Sequence, residues 1–351
     1  MKIILDKIGS VTILCQLSSE VEVCEQFVSS EGTVLAARVL NEKNIYNKME
    51  LVTGRLATVQ YGDIIAVALG ARSALKGYVG SVPSHLEKGD IIQLLNIGGV
   101  AGELESANSK EVGKAFNLEV IGVILKNDQP VNIKNYTLYA PEENLDSETP
   151  LVLIAGTSMD SGKTTVASEI IKYSSRAGYK VHAAKMAGVA ALRDTENMSD
   201  YGAKMTTSFL EAGLPSTVGT EISLQCTKGS INYLSKGKPD FIVIELGDGI
   251  YGEYGVNAIL EDEEIRNNTA CLIGCAYDPV GAVGLTMYGR KINNPFHIIS
   301  GPVTDNSVGV NYVTQHCKII AVNAFNDPIS FLPIIENSIR KAGVVNKVRL
   351  D

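Results

Sequence analysis

The sequence lacks any uninterrupted apolar run of the roughly 18 residues that a membrane-spanning helix needs. Near the amino terminus, Asp6 and Lys7 interrupt the short apolar stretch, so no export signal is expected there. These absences predict a soluble, cytoplasmic protein that has no membrane partner.

Metal-binding patterns of cysteine and histidine are also missing. The six cysteines form no CxxC pair, and the four histidines are scattered along the chain, so a structural zinc site is not expected. Cys271 and Cys275 lie in the apolar stretch TACLIGCAY, which is typical of a strand in which cysteine acts as a small hydrophobic residue. We expect reduced, buried thiols.

Positive charge is in deficit. The 351 residues include 31 Lys and Arg against 39 Asp and Glu, which gives a net charge of −8. General attraction to phosphate backbones is therefore not expected, and we predict no nucleic-acid partner. The 45% apolar and 20% charged content predicts a folded chain, and the length predicts two domains.

The two halves of the sequence differ in pattern. Residues 1–140 contain short β-rich runs separated by glycine and predict a small, barrel-like β domain. Within it, YGDII at 61–65 and KGDII at 88–92 repeat one arrangement, in which a glycine turn precedes a strand. Residues 141–150 are predicted to be a linker. In 151–351 apolar strands alternate with helical segments, which predicts an α/β domain with a mostly parallel sheet.

Two interpretations are open for the polar and glycine-rich residues of the first domain. The segment NIGGVAG at 96–102 could bring backbone amides to a ligand, and Arg72 and Lys76 could hold an anionic substrate. Tight β geometry and ordinary exposed basic residues explain the same pattern, and the sequence favours these explanations.

The strongest local pattern is GTSMDSGKTT at 156–165, which stands between the apolar strand LVLIA and a helical run. Glycines let successive backbone N–H groups curl around phosphate, and the helix amino terminus adds positive potential. In this pattern Lys163 reaches the terminal phosphates and Thr164 ligates Mg²⁺. The segment predicts a P-loop NTPase domain. The predicted nucleotide-binding residues are Gly156, Thr157, Asp160, Ser161, Gly162, Lys163, Thr164 and Thr165.

A second metal residue is expected at the end of another strand. The apolar run FIVIE ends at Glu245, and a buried strand that delivers a carboxylate to the sheet edge completes a Mg²⁺ site opposite the loop threonine. Asp278–Gly284 and Gly301–Asn306 follow later strands, where a nucleobase or second substrate is expected. Asn306 and Asn323 either read a base edge or form turns, and turns are favoured.

The loop form GTxxxxGKT, with an acidic residue inside it, resembles dethiobiotin synthetase and its relatives, the cobyrinate and cobyrate amide synthases and the molybdopterin-guanine dinucleotide accessory proteins. The resemblance implies ATP, Mg²⁺ and a homodimer. It implies that Lys185, after the second strand, faces the γ-phosphate and a substrate carboxylate. It also implies that Asp200 and Glu245 hold the metal. Asp200 has an alternative role in the first turn of a helix expected near 199–212, where Ser199 would be the N-cap.

Two functions stay open at this point. The first is an ATP- and Mg²⁺-dependent, ligase-like enzyme that activates a carboxylate or carbamate of a small molecule by phosphoryl transfer. Lys163 and Lys185 would be its catalytic cations. The alternative is a nucleotide-dependent switch or an accessory protein in metallocentre or cofactor assembly. Leu246 and Asp248 depart from the dethiobiotin synthetase pattern, so the sequence does not identify the substrate.

Overall fold

The structure is a computed structural model that describes residues 1–342, apart from the side chains of Thr220 and Glu221. Residues 343–351 of the predicted second domain lie outside the described residues. Among the helices that are described, none is long and apolar enough to cross a membrane. Contacts divide the chain into two units that are not simply its two halves. The first unit contains Met1–Tyr139, Val189–Arg193 and Phe209–Val218; the second contains Ala140–Gly188, Asp194–Ser208 and the described residues from Gly219 onward.

The first unit is built mainly from short strands. They are β1 (Lys2–Ile4), β2 (Lys7–Ile8), β3 (Glu20–Cys24), β4 (Val34–Val39), β5 (Lys48–Glu50), β6 (Leu56–Thr58), β7 (Ile64–Leu69), β8 (Arg72–Ser73), β9 (Tyr78–Ser81), β10 (Ile91–Leu94), β11 (Val100–Ala107), β12 (Phe116–Lys126) and β13 (Gln129–Pro130), with the short helix α1 (Ser109–Val112). Pairing follows the order β1-β3-β12-β4-β7-β11-β9-β8, and β10 pairs with both β11 and β12. The path β12-β4-β7-β11-β10 therefore returns to β12 and closes a ring, as strands do in small barrels.

Alternation along these strands creates the core of the first unit. In β4 the alternate residues Leu35, Ala37 and Val39 belong to one buried apolar cluster. In β12 the cluster changes parity between Val120 and Val123, where the pairing with β4 shifts its register. An extra residue of this kind bends a strand and helps a short sheet to close.

The repeated turns precede β7 and β10. Gly62 has φ +85° and Gly89 has φ +91°, a left-handed conformation that glycine adopts without strain. The carboxylates of Asp63 and Asp90 each accept the backbone N–H three residues earlier, at 2.6 and 2.7 Å. The predicted turn-then-strand repeat is confirmed.

The second unit is an α/β sheet covered by helices. Its strands are β14 (Leu151–Gly156), β15 (Val181–Ala187), β16 (Thr206–Ser208), β17 (Phe241–Leu246), β18 (Thr269–Cys275), β19 (Ile298–Ser300) and β20 (Ile320–Ala321), and its helices are α2 (Lys163–Arg176), α3 (Arg193–Asp200), α4 (Thr220–Ser235), α5 (Val256–Glu261), α6 (Glu263–Asn268), α7 (Pro279–Lys291), α8 (Ser307–Tyr312) and α9 (Pro328–Lys341). The strand order is β16-β15-β17-β14-β18-β19-β20, and these neighbours pair in parallel. The mostly parallel sheet is confirmed and is consistent with a P-loop NTPase fold.

Helical spacing explains how α2 and α9 pack on this sheet. Val166 and Ile170 of α2, and Phe331, Ile335 and Ile339 of α9, recur every four residues and lie in one buried apolar cluster with the strands. The same cluster contains the cysteines of β18. Both are free and buried, as expected, and burial raises the pKa of each thiol to about 12.

The helix expected near 199–212 is wrong. Helix α3 ends at Asp200, and Gly202 follows with φ +111°. The N–H of Ala203 donates to the carbonyl of Met198, and the N–H of Gly202 donates to that of Ser199. This is a Schellman motif, which ends a helix and satisfies its last carbonyls. Ser199 is therefore in the last turn of a helix and is not an N-cap.

Candidate nucleotide site

The parallel register of the second unit brings three strand ends together. In the pairing of β15 with β17, Lys185 stands opposite Glu245, and in the pairing of β14 with β17, Ile154 stands opposite the same Glu245. Carboxyl ends of parallel strands meet at one edge of a sheet, which is where ligands of open α/β sheets bind. Lys185 and Glu245 therefore reach the edge from which the loop after β14 emerges.

The loop between β14 and α2 is a tight turn. Gly162 has φ +93° immediately before the helix, and Asp160 has φ +62°. A Cβ on Gly156 would lie 2.3 Å from Ser161 Oγ and 3.1 Å from the carbonyl of Cys275, so a side chain there would force the Ser161 hydroxyl to move. Asp160, Thr164 and Thr165 are exposed, so the outer side of the loop and the start of the helix are open to a ligand.

Lys163 crosses the inside of this loop. Its side chain is 5% exposed, and its Nζ donates to the carbonyls of Ser158 at 2.7 Å and Asp248 at 2.5 Å. Burial lowers the pKa of Lys163, and the positive charge of Lys185 lowers it further. Bound anionic groups would oppose both effects and stabilise the ammonium form.

Glu245 is the centre of the polar cluster at the sheet edge. It is 1% exposed, and its Oε1 accepts the Thr164 hydroxyl at 2.8 Å and the Lys185 ammonium at 2.5 Å. Its other oxygen, Oε2, is buried and has no hydrogen-bond partner. An unpartnered buried carboxylate oxygen is costly, and a bound cation is one way in which proteins satisfy such an atom.

Asp194 is a site residue that the sequence did not single out. Its Oδ2 lies 3.9 Å from Lys185 Nζ, and it is the second residue of α3. Asp200, the predicted metal residue, lies six residues further along, exposed at the end of the same helix. Among the described contacts, none joins Asp200 to Thr164 or Glu245. The resemblance predicts a role for Asp200, at the end of this helix, and none for Asp194 at its start.

Two other segments close around the loop. Gly301, after β19, has φ +88°, and a Cβ there would lie 2.2 Å from the carbonyl of Ser161. Gly249, after β17, has no room either, because its Cβ would lie 2.4 Å from the carbonyl of Thr157. Neither glycine could be assigned to the loop from the sequence, because each contact joins residues that are distant along the chain.

A cavity of about 470 Å³ lies beside the start of α2. The residues that line it include Gly162, Thr165, Gly301, Asp305 and Phe325. Phe325 is 65% exposed, so the cavity has an aromatic side chain available at its rim. Of the two segments that the sequence predicted near a nucleobase or a second substrate, Gly301–Asn306 contributes Gly301 and Asp305 to this lining.

The polar residues after the later strands cap helices and stabilise turns. The side chain of Asn306 accepts the N–H of Val308 as the N-cap of α8, and Asn323 accepts two backbone N–H groups and donates to Asp305 Oδ1 at 2.9 Å. These hydrogen bonds agree with the turn-forming interpretation. The predicted loop that begins at Asp278 is a helix start, because Asp278 is the N-cap of α7.

In the first unit, the structure corrects the description of Arg72. Arg72 is 6% exposed and donates to the Leu95 carbonyl and to the Tyr46 hydroxyl, so it is a buried residue and not an exposed one. Lys76 is exposed. In the glycine-rich segment, a Cβ on Gly98 would lie 2.1 Å from the carbonyl of Ala190, which supports the explanation by close packing.

Carboxylates, histidines and cysteines do not form a preassembled metal centre in the described part of the chain, because no group of three or more comes together there. A single carboxylate beside a hydroxyl is nevertheless the donor set with which proteins hold Mg²⁺ together with substrate phosphates. Thr164 and Glu245 fit this description, and the unpartnered Oε2 is the observation that supports it.

Comparisons with known proteins identify no family for this chain. No family model matches, and no curated protein matches. Solved structures with a similar arrangement include the signal recognition particle 54 kDa protein from Aeropyrum pernix K1 in complex with GDP, with 19% identity and a TM-score of 0.35 over 57% of this chain. The match spans about half of that protein, 51% of its length.

Two further structures are FtsY proteins, the first of them described as a signal recognition particle receptor. FtsY from Elizabethkingia anophelis has 10% identity and a TM-score of 0.38, over 61% of this chain and 75% of that one. Chloroplast FtsY from Physcomitrella patens has 13% identity and a TM-score of 0.36, over 58% and 70%. Similarity at this level does not extend beyond the general α/β architecture, and the resemblance to dethiobiotin synthetases stays a prediction.

Proposed function

We propose that this protein binds a nucleoside triphosphate with Mg²⁺ at the loop after β14 and uses it for phosphoryl transfer. The observation that carries the proposal is Glu245. A buried carboxylate with one oxygen shared by a hydroxyl and an ammonium, and the other oxygen unpartnered, is an incomplete cation site. It stands next to a glycine-rich loop at the start of a helix, where phosphate binds readily.

Thr164 and Glu245 would hold the metal ion. When bound, Mg²⁺ supplies positive charge that neutralises the phosphate oxygens. Asp200 stays a metal residue that the resemblance predicts, and it is exposed. Asp194, and not Asp200, is the acid of this helix that lies beside Lys185.

Lys163 and Lys185 would supply the remaining positive charge. Phosphoryl transfer requires little covalent help from a protein and much stabilisation of charge on the transferred group. Lys163 lies inside the loop, and Lys185 lies on the neighbouring strand end, held by Glu245 at 2.5 Å. Two cations, one at the start of α2 and one on β15, could contact phosphate oxygens on two sides.

The acceptor in this proposal is a carboxylate or carbamate of a small molecule, and the nucleotide is ATP. Lys185 supports this choice, because a second cation beyond the loop suits an anionic acceptor next to the γ-phosphate. The cavity of about 470 Å³ beside Thr165 would take the base and ribose, with Phe325 as a surface for stacking. A homodimer belongs to the same proposal and rests on the resemblance alone.

One observation favours the alternative, a nucleotide-dependent switch. The chain between Lys185 and Asp194 passes through Val189–Arg193, which belongs to the first unit by its contacts. Lys185 and Asp194 of the proposed site therefore flank this segment in the sequence. A switch needs such a connection between nucleotide and partner surface.

Calorimetry and phosphate release test the proposal. Wild-type protein should bind ATP in the presence of Mg²⁺, and a metabolite library should contain a carboxylate that accelerates phosphate release. Lys163→Ala should abolish turnover, whereas the control Lys172→Ala, which removes a lysine paired with Glu169 on the same helix, should not. Near-normal hydrolysis by Lys163→Ala would overturn the loop assignment. Acceleration by a partner protein only would favour the switch.

A further inference from the structure

The cavity beside the start of α2 contains one acidic residue, Asp305. Its lining joins Gly162 and Thr165, at the start of the helix, to the segments that follow β19 and β20. None of the described lining residues is a lysine or an arginine. A carboxylate without a basic neighbour attracts a hydrogen-bond donor and repels a phosphate. The part of the cavity around Asp305 is therefore suited to the base or the ribose of a nucleotide.

Asn323 holds this carboxylate in place. Its Nδ2 donates to Asp305 Oδ1 at 2.9 Å and to the Thr304 hydroxyl at 3.2 Å. Its Oδ1 accepts the N–H groups of Phe325 at 3.0 Å and Asn326 at 2.8 Å. Two donated and two accepted hydrogen bonds engage the whole side-chain amide. Asn323 therefore orients Asp305 and has no spare group with which to read a base.

The same asparagine connects the carboxylate to the aromatic ring at the rim of the cavity. Asp305 accepts from the amide nitrogen of Asn323, and the backbone of Phe325 donates to the amide oxygen. The Phe325 side chain is 65% exposed, so a face of its ring is available for stacking. This shared partner places the stacking surface and the carboxylate on the same part of the cavity lining.

One oxygen of Asp305 is left for a ligand. Its Oδ1 accepts the Asn323 amide, whereas its Oδ2 has no hydrogen-bond partner among the described residues. Asp305 is exposed, so a ligand can reach this oxygen. A single acceptor suits the one exocyclic amino group of adenine. Guanine presents two N–H groups side by side, and a carboxylate binds such a pair with both of its oxygens.

We propose that Asp305 determines the base specificity of this site, because its Oδ2 accepts a hydrogen bond from the 6-amino group of adenine. The inference rests on the proposed function, in which the cavity takes the base of ATP. All the residues that it uses belong to the second unit. It also makes Asn323 a positioning residue, which acts on the base through Asp305.

The test measures by calorimetry, with saturating Mg²⁺, the affinity for nucleotides that differ by one group. Purine riboside triphosphate is ATP without its amino group, and 2′-deoxy-ATP lacks one ribose hydroxyl. Wild-type protein should bind ATP at least about tenfold more tightly than purine riboside triphosphate, as one hydrogen bond to a charged group predicts, and 2′-deoxy-ATP within about twofold of ATP. Equal affinities for ATP and the purine analogue, tighter binding of GTP than of ATP, or a loss confined to 2′-deoxy-ATP overturns the inference.

Asp305→Asn changes the chemistry of this contact at constant size. Its carbonyl would accept the Asn323 amide, so its NH₂ group would face the base. The preference should then shift from ATP towards inosine triphosphate, which has a carbonyl in place of the amino group. The control Asp327→Asn changes an exposed acid that caps α9 through the N–H of Ser330 and does not line the cavity, and it should keep the wild-type preference. An unchanged ATP preference in Asp305→Asn overturns the inference.

A second variant keeps the test decisive if Asp305→Asn does not fold. Asp305→Ala removes both oxygens, so it should bind ATP and purine riboside triphosphate equally, and a retained preference for ATP in this variant overturns the inference. The two possible failures are distinguishable in wild-type protein. Binding of all these nucleotides without discrimination contradicts the role of Asp305 only, whereas no binding of any of them contradicts the proposed function and the inference together.

Discussion

Glu50 of the first unit and Glu245 of the second are buried to the same degree, 0% and 1% exposed, but their partners differ. Both oxygens of Glu50 accept hydrogen bonds from donors of its own unit. In Glu245 one oxygen accepts two donors and the other has none. Saturated partners are typical of a carboxylate that organises the chain, whereas the unpartnered oxygen of Glu245 is the observation behind the proposed cation site.

The largest expected effect is the loss of turnover on substitution of Glu245. Glu245→Gln should lower Mg²⁺-dependent turnover by about 10²–10³-fold, because it removes a charge that orients Lys185 and the metal. Its thermal midpoint should change little. Steady-state phosphate release and a thermal melt on the same samples provide the measurement. Loss of the cooperative transition with full specific activity at low temperature would make Glu245 a structural residue.

Glu50→Gln should destabilise the folded protein more than Glu245→Gln does. Its substitution leaves a buried N–H without an acceptor, which costs roughly 1–3 kcal/mol of unfolding free energy. Urea unfolding at pH 7 measures this loss of unfolding free energy. Ser10→Ala, which removes the hydroxyl that donates to Glu50 Oε2, is the milder variant. A greater loss of stability in Glu245→Gln than in Glu50→Gln would reverse the comparison between the two carboxylates.

The two acids of α3 permit a sharper comparison within one helix. Asp194→Asn should lower turnover by about tenfold, because its charge lies beside Lys185, whereas Asp200→Asn should change it less than twofold. The Mg²⁺ dependence of turnover in both variants should be measured at the same time. A stronger effect of Asp200→Asn on the Mg²⁺ dependence would restore Asp200 as a metal residue.

A smaller effect, on stability, is expected from substitution of Lys43. Lys43 contacts a tyrosine hydroxyl, whereas Lys185 contacts the carboxylate of Glu245. Lys43 Nζ donates to the Tyr78 hydroxyl at 2.5 Å, and burial lowers the pKa of Lys43 to about 8 from an ordinary 10.5. Between these values the folded state binds fewer protons than the unfolded state, so stability rises with pH. Below pH 8 the destabilisation is fully present.

Lys43→Met should therefore stabilise the protein at pH 7 relative to wild type, and this advantage should shrink as the pH rises from 8 towards 10. Urea unfolding of both proteins at pH 7, 8.5 and 10 gives the difference. The pKa of Tyr78 is raised to about 12 from an ordinary 10, so Tyr78 is protonated in both states below pH 10 and makes stability fall with pH only above that value. A difference that does not vary with pH would contradict the burial of the Lys43 ammonium.

The smallest effect concerns the thiols, which both units bury. Burial raises the pKa of Cys15, Cys271 and Cys275 to about 12, and Cys24 is only half-buried. Iodoacetamide at pH 7.5 should therefore modify Cys24 first in the native protein. Peptide mapping over time measures the order, and Cys24→Ser should remove the fast phase. Early modification of Cys275 would mean that the strand beside the loop opens.

Some features of this protein were determined by the sequence alone, because their causes are local. The loop between β14 and α2 needs only a strand, a run of glycine and polar residues and a helix in the right order, and all of them are contiguous at 151–176. The turns before Ile64 and Ile91 depend on a glycine and an aspartate that bonds three residues back. The helix predicted near 199–212 failed for a local reason as well, since the effect of Gly202 was overlooked.

Only the tertiary structure decided which distant residues meet. Lys185 and Glu245 are adjacent because β15 and β17 pair in one particular register, and no pattern within either strand specifies its neighbour. Asp194 Oδ2 lies 3.9 Å from Lys185 Nζ, and Glu50 accepts the N–H groups of Leu192 and Arg193, which lie far away from it in the sequence. The chemistry of each residue is local, whereas its partners depend on strand pairing and packing across the whole chain.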